Sequence, residues 1–283
     1  MNFAPRYLGR GSWLARRDPR VLVLAVVFFV FAAIQVWDMR LVALLLVLAL
    51  AYYRSAHIPF REVRRQWFIA ILFVSLLVFG NGIFASGRVQ RLPDGAIQHV
   101  YGYLPLLGTP ISAESLSFAI TQFLRFMAMI AIGFPLAFAI DPGAFGVTFA
   151  RLGIPYRFAF AIDLTWRFIP SFAADFRTTM DAQQVRGMDL GERVGGPLAR
   201  LRRQVPILVP TIVNAIAGAE DTIDAMDLRA FGTGTRTWLR ELRLDPTDRL
   251  VLLGFVGLFL AATIGGFTTS SSFLWVPPFL IPS

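Results

Sequence analysis

The chain has 283 residues, 56% of them hydrophobic and only 16% charged, and carries a formal net charge of +9; soluble domains hold about 25% charged residues. Apolar runs near or above the roughly 20 residues that cross a hydrocarbon core recur along it, which excludes an ordinary soluble enzyme and indicates a polytopic helical membrane protein. Cysteine is absent, every basic residue is arginine and the only histidines are His57 and His99; this excludes disulfides, cysteine nucleophiles, Schiff-base lysines and a lysine-bearing phosphate loop, and leaves no resident metal site expected.

The first apolar run, residues 21–36, follows Arg6, Arg10, Arg16, Arg17 and Arg20. It resembles a secretory leader in outline, but Ala32 and Ala33 lead into further apolar residues and then at once into a second run, 41–53. A cleavage site requires otherwise, so the two runs are expected to form a retained transmembrane hairpin. A basic amphipathic stretch with Arg54, Arg61, Arg64 and Arg65 precedes the third run, 67–84. The insert at about 87–115 holds Asp94-Gly95, several further glycines and prolines, and the pair Tyr101 and Tyr103; it is expected to be a hairpin or loop at the headgroup level. The fourth run, 116–140, contains Arg125, and a last run covers 250–266.

Between the fourth and last runs, residues 141–249 have short apolar stretches interrupted by charge, the pattern of helices at or below a membrane surface. Arginine counting orients the chain. The segments before the first run, around residues 54–65 and within 141–249 hold 23 of the 27 arginines, whereas Arg40, Arg88 and Arg91 fall on the other side. The positive-inside rule therefore expects a multi-pass protein of the cell membrane with residues 1–20 cytoplasmic, a four-span region at 21–140, cytoplasmic helices in 141–249, and a last span with an external tail at 250–283. The same topology explains the net charge without nucleic acid as a partner. Gly195-Gly196-Pro197 followed by Arg200, Arg202 and Arg203 suits a turn into a basic surface helix facing anionic headgroups of the bilayer.

An ionisable side chain within a span is costly unless paired. Asp163 and Arg167 lie one helical turn apart and are expected to pair with each other, or Asp163 with Arg125. Pro155, Pro170 and Pro206 are expected to mark helix starts or kinks.

Two stretches of the charged segment share the pattern Ala-x-x-apolar-Arg-small: Ala182 to Gly187, with Val185-Arg186-Gly187, and Ala225 to Ala230, with Leu228-Arg229-Ala230. One helix is expected from Pro155 towards Gly187, the other from about Pro206 towards Gly232. In the second, Val209, Ile212, Val213, Ile216, Ile223 and Met226 follow helical spacing, Ala215 and Ala219 form a small-x-x-x-small pair, and Glu220, Asp221, Asp224 and Asp227 crowd the last turns. Two roles are open to the arginines. They complement the negative end of the helix dipole, or they project a planar, bidentate guanidinium towards carboxylates of a partner.

The ordered set Ile140-Asp141-Pro142, Leu152-Gly153-Ile154-Pro155-Tyr156, Trp166-Arg167-Phe168-Ile169-Pro170 and the two arginine motifs resembles the transmembrane T component of energy-coupling factor transporters, a family that includes cobalt, nickel and vitamin importers. The resemblance implies an all-α membrane scaffold whose coupling helices dock through Val185-Arg186-Gly187 and Leu228-Arg229-Ala230 into two ABC ATPase subunits. It also implies a small substrate-binding membrane protein as third partner, with ATP and Mg held by the ATPases and no cofactor or catalytic residue on this chain. Val185 and Leu228 stand where the family motif has alanine, and Ala230 where it has glycine. A different class, a membrane enzyme acting on a lipid-linked substrate, would need Asp163, Arg167 and the Glu220 to Asp227 acids to converge in one pocket. A self-sufficient channel would need polar residues lining several spans, and the first three runs are almost uniformly apolar.

Overall fold

Asp18 and Asp38 each accept a hydrogen bond from the backbone N–H two residues on, capping α1 (Pro19–Gln35) and α2 (Met39–Ser55). Pro19, whose missing N–H costs nothing at a helix start, opens the first. These contacts come from a computed structural model, which describes residues 12–84, 100–103, 110–187, 197–234, 237–238, 241–268 and 277. The next helix, α3 (Phe60–Phe84), begins earlier than its apolar run, because Arg61, Arg64 and Arg65 occupy its first turns. Two short strands, β1 (Val100–Tyr103) and β2 (Pro110–Ser112), pair antiparallel, the hairpin form of the expected insert; Arg88, Arg91 and Asp94-Gly95 lie outside the described residues. Ser112 and Ser115 bond each other's backbone N–H groups in a reciprocal cap that starts α4 (Ala113–Ala139). The remaining helices are α5 (Phe145–Arg151), α6 (Tyr156–Val185), α7 (Pro197–Leu228) and α8 (Pro246–Thr268). Among the described residues the protein is thus all-α apart from one small hairpin.

Helices α3, α4 and α8 are long and apolar enough to cross a membrane. At 17 residues each, α1 and α2 extend about 25 Å, the lower limit for crossing.

The chain divides into two compact units, one built on Pro142–Glu241 and the other on Arg6–Asp141 with Leu242–Ser283. In the second, α2 packs on α4 and α1 on α8. Ala25, Ala32, Ala49, Ala128 and Ala131 are completely buried there, since small side chains allow the backbone approach that drives helix association in lipid. Large apolar side chains such as Leu44, Phe68 and Leu76 are exposed, as expected where the solvent is hydrocarbon. Asp18 meets Asp248 at the helix starts and, farther along, Phe28 meets Phe259, so α1 and α8 run parallel. Their N-termini are joined by charge: Arg17 pairs with the buried Asp248 at 3.6 Å and donates to Thr247, and Arg20 bridges Asp18 at 2.6 Å and the Leu242 carbonyl at 3.2 Å.

In the first unit, α5 ends at Gly153, whose φ of +99° turns the chain so that the Ile154 N–H reaches the Phe149 carbonyl. Pro155 then caps α6. The expected start of α7 at Pro206 is corrected: the helix begins at Pro197, with Pro206 and Pro210 inside it. A proline removes one backbone bond and strains the preceding turn, and here neighbouring turns hold the helix together. Gly195 and Gly196 lie outside the described residues.

Helix α5 approaches α6 at Gly146, where a Cβ would lie 2.6 Å from the Asp163 Cβ and 2.9 Å from the Ala159 carbonyl oxygen. Backbone cannot retreat as a flexible side chain does. Gly146→Ala should therefore destabilise the unit by about 1–3 kcal/mol through overpacking. Gly133→Ala, at a glycine with open space around it, is the control. Thermal unfolding midpoints in one detergent check the pair, and equal midpoints would refute the close approach.

Candidate functional site

The two arginine motifs fold alike. In α7, the Phe231 N–H bonds the Met226 carbonyl at 3.0 Å and the Ala230 N–H bonds the Asp227 carbonyl at 2.9 Å, the paired bonds of a Schellman ending. They place Arg229 at the C-cap and Ala230 in the left-handed position, with φ +53°. In α6, the Gly187 N–H bonds the Gln184 carbonyl at 3.0 Å, Arg186 is the C-cap and Gly187 has φ +89°. Each arginine is therefore fixed as the last residue before the chain reverses hand.

The side-chain surroundings bear on both roles left open by the sequence. Both arginines are exposed, and among the described residues neither guanidinium hydrogen-bonds a carbonyl of its helix or pairs with a carboxylate. The backbone alone satisfies the helix ends, which leaves the cations available to a partner.

Helices α6 and α7 hold these tips apart. Just beyond α7, Phe231 packs on Phe160 of α6 at 4.6 Å between ring centroids and on Tyr156 at 6.5 Å; Tyr156 also meets Trp238. Further along, Phe168, Phe172 and Asp175 share a cleft with Asn214, Gly218 and Thr222. The end of one helix thus lies beside the start of the other, so they run antiparallel. The segment from Phe160 to Arg186 extends about 39 Å at 1.5 Å per residue, and the tips sit at opposite ends of the pair. The anchoring by Phe231 was not foreseen, although Phe231 and Tyr156 both belong to the stretches that carry the resemblance.

Small residues, not the apolar stripe, face α6. Ala215 and Ala219 line the shared cleft, whereas Val209, Ile212, Val213, Ile216 and Ile223 remain exposed. The small-x-x-x-small side of α7 makes this contact because it allows closer approach. The acids Glu220, Asp221, Asp224 and Asp227 are all exposed along the last turns of α7.

The ion pair expected between Asp163 and Arg167 does not form. The Asp163 side chain is held against α5 where Gly146 admits it, while Arg167 is exposed, and tertiary packing overrides the favourable spacing. Arg125, 5% exposed, finds its partners within its own unit: it donates to Gln122 at 2.6 Å and to the Val36 carbonyl, and lies 4.3 Å over the Trp37 ring. Trp37 stacks in turn on Phe118. The guanidinium ties α4 to the end of α1, with neutral acceptors and a cation–π contact in place of a carboxylate.

Fold and site define a class: a polytopic helical membrane subunit with a helix pair tipped at both ends by an available arginine. Residues 10–238 match the family described as CbiQ, cobalt transport protein. The energy-coupling factor transporter transmembrane protein EcfT of Lactococcus lactis is 29% identical over 265 residues, spanning 89% of this chain and 92% of that protein. That of Exiguobacterium sibiricum is 31% identical over 62% of this chain and 68% of its own length, and that of Thermosediminibacter oceani 27% over 95% and 97%. The chain belongs to this CbiQ/EcfT family of transporter transmembrane components.

Two outcomes follow from the local geometry. An alanine in the left-handed region is strained where glycine is not, but glycine adds entropy to the unfolded chain, so Ala230→Gly should stabilise the α7 ending by about 0.5–1 kcal/mol and Gly187→Ala should destabilise that of α6 by a similar amount. Amide hydrogen exchange of the final turns measures both, and opposite signs would overturn the assigned caps. Arg125→Met should lower the thermal midpoint, leaving the Val36 carbonyl unbonded at a cost of about 1–3 kcal/mol. Arg125→Lys should rescue little, since an ammonium cannot lie flat on Trp37 while bonding both oxygens.

Proposed function

We propose that this chain is the coupling scaffold of an energy-coupling factor importer, non-catalytic itself, joining two ABC ATPase subunits to a small substrate-binding membrane protein. The observation that carries the reading is the pair of exposed C-cap arginines, Arg186 and Arg229, whose guanidinium groups have no partner among the described residues, at opposite ends of one packed helix pair. Val185-Arg186-Gly187 and Leu228-Arg229-Ala230 each enter one ATPase through guanidinium–carboxylate contact. ATP and Mg belong to those subunits, whose closure changes the separation of the two docking grooves. The helices carry that displacement, and the exposed stripe of Val209, Ile212, Val213, Ile216 and Ile223 offers an apolar surface to the substrate-binding protein. The N-terminus and the α6–α7 tips are cytoplasmic on this reading, in keeping with the arginine distribution. The names of the relatives support a transporter, and that of the family a cobalt one; the cargo class proposed is a metal ion or vitamin.

Affinity purification of the tagged chain from its own membranes in mild detergent tests this. ABC ATPases should copurify with the unaltered chain and be lost from the variant carrying Arg186→Glu and Arg229→Glu, whose surface substitutions leave folding intact. Retention of the ATPases by the double variant, or their absence from the unaltered chain, would refute the coupling role.

A further inference from the structure

The large apolar side chains most exposed among the described residues are Leu228, at 90%, and Val185, at 89%. These two immediately precede the two C-cap arginines. Exposed apolar residues on α3 or α8 face hydrocarbon and need no explanation, but the tips are bordered by exposed charge: Asp181 and Arg186 at one, Asp224, Asp227 and Arg229 at the other. Charge at that density belongs in water, where a bare leucine or valine gains nothing by exposure. A helix end needs neither residue for its own closure, since the capping bonds run through backbone atoms.

Coincidence at one tip would be unremarkable, because single exposed apolar residues are common on protein surfaces. Here the same combination recurs at two tips 43 positions apart, with the same cap geometry and the same order of residues. The apolar side chain and the guanidinium leave adjacent positions at the end of a rigid helix, so one docking event would engage both.

We infer that Val185 and Leu228 are apolar knobs that become buried in the ATPase subunits, each filling a pocket beside the carboxylates that receive Arg186 and Arg229. This rests on the coupling role proposed above and adds to it the chemistry of the partner: each groove has an apolar floor and an acidic rim. The charge-assisted contact orients the tip, while the knob adds affinity and shape selectivity. Leucine reaches one carbon farther from the backbone than valine, and valine is branched at Cβ and stiffer. The two grooves therefore differ in depth, the one for Leu228 being the deeper.

Burial of a methyl or methylene group is worth enough that Val185→Ala should weaken binding of the copurified ATPase subunits about tenfold and Leu228→Ala about fiftyfold. The near-isosteric polar variants Val185→Thr and Leu228→Asn should weaken it at least as much. Both sites are exposed in the free chain, so yield and thermal midpoint in detergent should not change for any of the four variants. Binding is measured by titrating the ATPase subunits, recovered with the unaltered chain, against each variant in detergent, with the Arg186→Glu and Arg229→Glu variant alongside. Weakening by the alanine and polar variants supports the knobs. If these four bind as tightly as the unaltered chain while the charge reversal abolishes binding, the knobs are refuted and the coupling role stands. If neither the charge reversal nor the knob variants alter binding, both readings fall.

Discussion

A bilayer supplies no hydrogen bonds, and the rest of this architecture follows from that constraint. Backbone polar groups must be satisfied within each spanning element, which selects helices. Their outward faces may be as apolar as lipid, so the force that brings them together is close packing, and this explains why the buried positions of α1, α2 and α4 are so often alanine. Charge is driven to the helix ends. At the starts of α1 and α8 it becomes a fastening, with Arg17, Arg20, Asp18 and Asp248 tying two parallel helices at one level. Arg125 is the exception that shows the rule, since it lies within a helix only because the Val36 carbonyl, Gln122 and Trp37 surround its guanidinium.

The unit built on Pro142–Glu241 obeys different rules. Its two long helices are amphipathic, and their contact uses the small side of α7 and the aromatic side of α6. Such a contact resists separation but presents few interlocking side chains that would oppose sliding or rotation. Pro170 in α6 and Pro206 and Pro210 in α7 each remove a backbone bond, concentrating bending at known positions. At one end the Phe160–Phe231 contact pins the pair together. A pair pinned at one end and loosely held along its length can change the distance between its tips without unfolding either helix, which is what the proposed coupling requires.

Much of the fold was legible in the sequence where one local signal sufficed. The apolar runs coincide with α1, α2, α3, α4 and α8, of which α3, α4 and α8 are long and apolar enough to cross a membrane, and Asp18, Asp38 and Ser112 stand where caps are needed. The two motif arginines were legible as helix ends because small residues follow them, and both ends are present as expected. What escaped is tertiary. Pro206 suits a helix start by its own chemistry, and nothing in its neighbourhood tells that α7 continues through it. The spacing of Asp163 and Arg167 favours a pair in an isolated helix, yet the close approach of Gly146 is set by a residue 17 positions earlier. The apolar stripe of α7 announced a buried face, and amphipathicity alone cannot say whether the covering surface belongs to the same chain.

Ala230 joins these strands of reasoning. A glycine would occupy its left-handed position without strain, and Gly187 does so at the matching site. An alanine there narrows the backbone freedom of the turn in every state of the chain, folded or docked, and so holds Arg229 and Phe231 in a more fixed relation. Phe231 is the residue that anchors α7 to α6. The strain thus falls at a tip whose position depends on an anchor. The Arg229 end is therefore held by both backbone and aromatic packing.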